Sequence, residues 1–109
     1  MPRHDELIHL DEQDPRRAKK ALKHRLLQSG DGRCLFCGVL GAGTIDHLIP
    51  LNKGGTDDPI NWARACFSCN HAKGNNQDAV TWLRRQRFHT TERESALRDR
   101  LALAREWVV

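Results

Sequence analysis

The sequence contains no long apolar run, no internal repeat and no low-complexity segment. A transmembrane helix needs about 20 consecutive apolar residues, and no stretch approaches that length. The first 14 residues, MPRHDELIHLDEQD, are acidic and lack the apolar centre of a secretory signal. We therefore expect a cytoplasmic protein without membrane attachment, and 109 residues predict a single domain.

Cysteine is also scarce, and its spacing is informative. The four cysteines form two Cys-x-x-Cys pairs, Cys34 with Cys37 and Cys66 with Cys69. In a reducing cytosol, cysteines are more often metal ligands than disulfides. Each pair can wrap around one ion and present two thiolates to tetrahedral Zn²⁺. Four thiolates fill the coordination shell, so the pattern predicts a closed, structural zinc site that would stabilise a small core.

The net charge of +4 is unevenly distributed. Residues 1–14 carry one basic and five acidic side chains, a balance of −4, and the rest of the chain carries 17 basic and nine acidic ones, a balance of +8. A basic body favours a polyanionic partner such as nucleic acid. We interpret residues 1–14 as an acidic, flexible lead-in and residues 15–109 as the folded domain.

The first predicted helix covers residues 15–28. Asp14 followed by Pro15 is typical of a helix start, and Ser29-Gly30 of a helix end. Its first half is crowded with the basic residues Arg16, Arg17, Lys19, Lys20 and Lys23. Like charges at helical spacing repel one another. The cluster is therefore either a solvated face or a phosphate-binding surface, and the sequence leaves both open.

The centre of the domain, residues 33–75, predicts strand, loop, strand and helix, clamped at both ends by the cysteine pairs. The expected elements are a strand at 44–49, a loop at 50–59 and a strand at 61–65. A helix is then expected to begin between residues 66 and 70 and to end at Gly74. Two further helices are expected at about 77–88, capped by Asp78 or Asn76, and at 91–107, opened by a capping box of Thr91 and Glu94. We expect the three tryptophans, Trp62, Trp82 and Trp107, in the core.

Several polar residues of the centre are left over once the zinc site is assigned. His47 is a candidate general base, because imidazole titrates near neutral pH. Asp46 precedes it in the predicted strand, where neighbouring side chains point to opposite faces. The two can therefore face one target only if the strand bends or ends there.

The polar and cysteine motifs occur in a fixed order. The sequence reads Asp46-His47-Leu48-Ile49-Pro50, then Gly54-Gly55-Thr56-Asp57-Asp58-Pro59 and Asn61, then Cys66-x-x-Cys69-Asn70-x-x-Lys73-Gly74. Over about two fifths of the chain this pattern resembles the HNH endonucleases, the zinc-stapled ββα-metal nucleases of the His-Me finger type. The resemblance implies an α+β fold in which flanking helices surround a small ββα-metal core with a structural four-cysteine zinc site. It also implies metal-dependent hydrolysis of DNA phosphodiester bonds, by nicking or by cutting both strands.

The resemblance assigns a role to each leftover polar residue. His47 matches the histidine that activates water, and Asp46 and Asn70 match the ligands of one catalytic ion, Mg²⁺ or Mn²⁺. Asn61 matches the residue that orients the base by hydrogen bonding. His71 is the alternative to Asn70, because some members have histidine at this position; softer divalent ions would then work relatively better.

The resemblance also implies DNA as the partner, bound mainly at its backbone from the minor groove. Lys73 matches the basic position of the Cys-Asn-x-x-Lys-Gly ending and is expected to touch phosphate. The other expected DNA contacts are Lys53, Arg64, Arg16, Arg17, Lys19 and Lys20. The chain resembles small free-standing members from bacteria or phages. These imply a monomer or homodimer in a bacterial cell or infected host, alone or with a larger phage or restriction machine.

Two rival functions remain. A catalytically inactive zinc ribbon would bind nucleic acid without cutting it and would be indifferent to His47→Ala. A thiol redox protein would use the cysteine pairs as reversible disulfides, but this leaves Asp46, His47, Asn61 and Asn70 without a role.

Overall fold

The computed structural model describes residues 14–75 and 77–106. Most of the predicted acidic lead-in, and Trp107, lie outside the described residues. The helices and strands, in chain order, are α1 (Pro15–Gln28), β1 (Thr44–His47), β2 (Trp62–Ala65), α2 (Phe67–Lys73), α3 (Ala79–Arg84) and α4 (Thr91–Arg105). Two single 3₁₀ turns, Leu51–Lys53 and Pro59–Asn61, lie in the loop between the strands. This is the mixed α+β arrangement, with a two-stranded sheet, that the sequence predicted.

Strands β1 and β2 pair antiparallel, with Asp46 opposite Ala63 and His47 opposite Trp62. Because side chains alternate along a strand, Asp46 and His47 leave β1 on opposite faces. Helix α2 packs on the Asp46 face, where Asn70 donates a hydrogen bond to Thr44 Oγ1 at 3.1 Å. The sheet therefore separates the two polar residues that the sequence places side by side.

The core lies between the first cysteine knuckle (the turn of Cys34–Cys37), the sheet and the last two helices. Phe36 packs edge-on against Trp82, with ring centroids 5.4 Å apart, and Leu83 and Leu97 are fully buried beside them. Glu94 joins α3 to α4 on the surface by binding Arg84, His89 and Arg98. Trp62 and Trp82 are buried, as predicted.

Helix α1 is attached by polar contacts rather than by a buried apolar face, since none of its residues is buried. Arg64 of β2 donates to the carbonyl oxygen of Ser29 at 2.9 Å, at the end of α1, and to that of Ala42. Lys19 and Lys23 reach Asp57 in the loop between the strands. The position of helix α1 on the domain thus depends on ion pairs and hydrogen bonds.

The capping signals place the helix ends well, and the differences have local causes. Asp14 and Asp78 cap α1 and α3 as predicted, whereas Thr90, not Thr91, caps α4. Helix α3 is shorter than predicted and ends at Arg84. Strand β1 ends at His47 rather than at residue 49, because the backbone N–H of Ile49 donates to the Asn61 side chain instead of to a neighbouring strand. Among the described residues, no helix is both long and apolar enough to cross a membrane.

Candidate metal centre and nuclease site

The four cysteines converge on one point. Their Sγ atoms all lie within 4.8 Å of one another, and those of Cys37 and Cys66 are 3.8 Å apart. Four sulfurs bound at about 2.3 Å to a tetrahedral zinc would be about 3.8 Å from each other, so the cluster suits this metal. Gly38, at φ +79°, forms the tight turn of the first knuckle and donates its N–H to the carbonyl oxygen of Cys34. Cys66 caps α2, where its Sγ accepts the N–H of Cys69.

The surroundings shift the pKa values of three of the four thiols in different directions. Burial raises the pKa of the Cys69 thiol, as it does that of Cys37. Burial acts the same way on Cys34, but backbone hydrogen bonds from Cys37, Cys66 and Phe36 outweigh it and lower the pKa. A bound divalent cation would remove this conflict, because it stabilises all four thiolates at once.

A second polar centre lies where β1 and α2 both end. His47, Pro50, Leu51, Asn52, Lys73 and Asn75 line a cavity of about 360 Å³. His47 belongs to β1, and Lys73 is the last residue of α2. Although Asp46 and His47 leave the strand on opposite faces, this cavity has His47 on one wall and the binding partner of Asp46 on another.

Asp46 and Lys73 form a buried ion pair. Their Oδ2 and Nζ atoms are 3.0 Å apart, and the two residues are only 6% and 1% exposed. Asp46 Oδ1 accepts the backbone N–H of His47, whereas Oδ2 has no geometrically good hydrogen bond within the described part of the chain. Burial raises the pKa of Asp46 despite the nearby ammonium. A buried carboxylate oxygen that already attracts a cation suits a divalent ion.

Lys73 is the residue that the resemblance matched to a phosphate contact. Its ammonium is buried against Asp46 and 3.3 Å from the carbonyl oxygen of Gly74, not exposed towards solvent. The predicted phosphate contact would need this ammonium to leave Asp46.

The structure distinguishes the two candidate residues on α2. Asn70 faces β1, where its Nδ2 donates to Thr44 Oγ1 and, at 3.3 Å, to the carbonyl oxygen of Ile45. His71 is exposed, and its ring stacks on that of Phe67 at 5.6 Å. Of the two, Asn70 is the residue on the Asp46 side of the sheet, and its Oδ1 is the oxygen not used by these bonds.

The His47 ring is held by a residue to which the sequence assigned no role, Asp57. His47 Nε2 lies 2.9 Å from Asp57 Oδ1, and the same oxygen accepts the indole N–H of Trp62 at 3.0 Å. The hydrogen bond with His47, together with the Trp62 bond and the nearby Lys23 and Lys19, lowers the pKa of Asp57 well below its usual range. The Gly54–Pro59 motif contained the signal, because it is the acidic loop that follows His47.

Asn61 fixes this loop from inside. It is buried; its Oδ1 accepts the Ile49 N–H, and its Nδ2 donates to the carbonyl oxygens of Ile49 and Thr56. Gly55 packs so closely that a Cβ would lie 1.8 Å from the Ile49 oxygen. These hydrogen bonds of the Asn61 side chain all go to backbone atoms of the loop. Asn61 sets the loop that carries Asp57, and Asp57 contacts His47.

The residues expected to contact DNA fall into two groups. Arg17, Lys20 and Lys53 are exposed, as is Arg16, whose guanidinium lies near Asp14. Lys19 pairs with Asp57, and Arg64 binds the carbonyl oxygens of Ala42 and Ser29. The second group already makes contacts within the domain, and of its two members Lys19 is nevertheless exposed.

The comparison with known proteins gives a match to one family. The fold is a small α+β arrangement with a four-cysteine cluster that could hold a metal ion. Residues 32–76, about two fifths of the chain, match the model of the HNH endonuclease family. Neither the curated proteins nor the solved structures gave a match.

The cysteine cluster predicts that folding depends on metal. Removal of the metal by chelation, or Cys69→Ser, is expected to abolish the cooperative thermal transition. The reason is that structural zinc binding contributes about 10 kcal/mol or more, comparable with the whole stability of a small domain. Circular dichroism and the zinc content per chain measure this, with Ser68→Ala, an exposed change between the same two cysteines, as control. A metal-free protein that still melts cooperatively would contradict it.

Proposed function

We propose that this protein is a metal-dependent HNH endonuclease that hydrolyses phosphodiester bonds in DNA, by nicking or by cutting both strands. The observation that carries the proposal is the cavity with His47 on one wall and the Asp46–Lys73 pair behind another, inside a domain that matches the HNH family. Proton transfer and charge neutralisation, the two needs of phosphodiester hydrolysis, have candidate groups at this one place.

His47 is the proposed general base. Its ring is partly exposed and lines the cavity, so a water molecule can reach it. An imidazole in this place can accept a proton from that water molecule. Asn61 contributes by holding the loop on which Asp57 lies.

Asp46 and Asn70 are the proposed holders of a divalent ion such as Mg²⁺ or Mn²⁺, with His71 as the alternative ligand. Carboxylate and amide oxygens are the ligands these ions prefer, and Asp46 Oδ2 is a buried oxygen met by a cationic group. When bound, such an ion neutralises phosphate charge and stabilises the departing oxygen. Zn²⁺ is the proposed occupant of the cysteine cluster, where it would be structural.

DNA is the proposed partner, bound mainly through its phosphates. The exposed basic residues Arg16, Arg17, Lys20 and Lys53 are the proposed contacts, and a backbone-dominated interface would weaken steeply with salt. We further propose that the protein acts in the cytoplasm as a monomer or homodimer, alone or with a larger phage or restriction machine.

The first test is cleavage of supercoiled plasmid at low salt. Wild-type protein with Mg²⁺ or Mn²⁺ is expected to produce nicked or linear DNA, and His47→Ala to slow this by about 100- to 10,000-fold, because it removes the proposed base. His24→Ala, an exposed histidine change on α1, is the control and is expected to cleave normally. Zinc content is matched across variants. DNA that is bound but uncut in every metal would instead favour the inactive zinc ribbon.

A second test asks whether Asp46 binds a divalent ion. Lys73→Met leaves the buried carboxylate without its ammonium, which is expected to destabilise the zinc-loaded protein by about 3 kcal/mol. Added Mn²⁺ is expected to raise the melting temperature more in this variant than in wild type, because the ion no longer competes with Lys73. Lys53→Met is the exposed control.

Asp46→Asn combined with Lys73→Met is expected to abolish the extra stabilisation by Mn²⁺. An equal effect of Mn²⁺ in the single and double variants would show that the ion acts elsewhere.

A further inference from the structure

We propose that Asp57 is a positioning residue for His47: it holds the ring through the Nε2–H, so that Nδ1 is the nitrogen that accepts the proton from water. The inference deepens the proposed function and rests on it for the role of His47. It adds a residue and assigns a separate task to each nitrogen of the ring.

The assignment of the two ring nitrogens follows from hydrogen-bond chemistry. An ionised carboxylate can only accept, so the ring nitrogen 2.9 Å from Asp57 Oδ1 must carry the hydrogen. A neutral imidazole has one N–H, and therefore Nδ1 keeps its lone pair. A base that must take a proton from water needs that lone pair and a fixed ring orientation.

Asp57 is itself held from two sides. The indole N–H of Trp62 binds the same oxygen at 3.0 Å, and Trp62 is 1% exposed and directly opposite His47 in the sheet register. A buried indole on the neighbouring strand provides a rigid anchor, so Asp57 and His47 are fixed by the same strand pair. This arrangement favours a positioning role over an incidental surface contact.

Helix α1 provides the second hold. Lys19 Nζ lies 3.4 Å from Asp57 Oδ2, Lys23 Nζ lies 3.6 Å from Oδ1, and the Lys23 ammonium sits 5.0 Å from the Trp62 ring centroid. Each of these partly exposed pairs is individually weak. Together they place two positive charges beside the carboxylate, and they make α1 part of the His47 environment.

Nuclear magnetic resonance of the His47 ring tests the hydrogen bond without any need for activity. In zinc-loaded protein with no other divalent ion, the wild type is expected to show a slowly exchanging Nε2–H, and Asp57→Ala to lose it. Asp58→Ala removes the same charge from the neighbouring, exposed position of the loop and is expected to keep it. An Nε2–H retained in Asp57→Ala as in Asp58→Ala would overturn the proposal.

Asp57→Asn decides the question if the alanine variant fails to fold. The amide oxygen can still accept the Nε2–H, so the signal is expected to persist but to shift and to exchange faster than in wild type. An unshifted signal with unchanged exchange would show that the carboxylate does not contact this proton, and the proposal would fail.

Cleavage kinetics provide the functional readout. Asp57→Ala is expected to lower kcat by about 10- to 100-fold through misorientation of the base, with KM nearly unchanged. The kcat of Asp57→Asn should lie between those of Asp57→Ala and wild type, and the kcat of Asp58→Ala should match wild type. Unchanged kcat in Asp57→Ala would overturn the proposal. A wild type that cuts no DNA would refute the proposed function, while the resonance measurement would still decide whether Asp57 holds the ring.

The part played by α1 is tested with two double variants. Lys19→Ala with Lys23→Ala is expected to speed the exchange of the His47 Nε2–H. Arg17→Ala with Lys20→Ala is the control: it removes two charges from the same helix away from Asp57 and is expected to leave the exchange unchanged. Equal exchange in both double variants would exclude α1 from the positioning of His47.

Discussion

The four-cysteine cluster is the constraint on which the rest of the site depends. It joins the knuckle before β1 to the start of α2, two segments that are far apart along the chain. Helix α2 has seven residues, too few to be stable alone. Held at its first turn by Cys66 and Cys69, it can present Asn70 and Lys73 to the sheet at its other end. A metal in this cluster would take no part in the chemistry and still determine whether the polar groups meet.

The neighbouring residues Asp46 and His47 pose a geometric problem that the domain solves by ending the strand. Alternation sends Asp46 towards α2 and His47 towards the loop between the strands. The Asn61 side chain accepts the backbone N–H of Ile49, and the chain turns. The cavity at the strand end is lined by His47 and by Lys73, the partner of Asp46. Each residue is then fixed by a separate partner, Lys73 or Asp57. The two therefore have different surroundings although they are adjacent in sequence.

Features encoded locally could be predicted from the sequence, and features that depend on distant partners could not. The caps of α1 and α3 and the spacing of the cysteines are short-range signals, and the structure agrees with them. The contact of Lys19 with Asp57 spans 38 residues, and that of Arg64 with Ser29 spans 35. Nothing in composition or spacing specifies such pairs. The contact of Asp57 with His47 spans only ten residues, but the loop offers two neighbouring aspartates and spacing alone does not tell which one reaches the ring. The buried pair of Lys73 with Asp46 joins two separate elements and was not predicted.

The internal pairing of basic residues changes how the charge of the domain bears on DNA binding. Lys73, Arg64 and Lys19 are engaged with Asp46, backbone carbonyls and Asp57, so the surplus of basic residues overstates the surface open to phosphate. Lys19 and Lys23 of α1 contact Asp57, and Asp57 in turn contacts His47. A phosphate that bound Lys19 would remove one of the contacts of Asp57. The position of Asp57 beside the His47 ring would then depend more on its hydrogen bond with Trp62. In such an arrangement, the proposed binding of the DNA backbone and the proposed orientation of His47 are not independent, because both involve the same side chains.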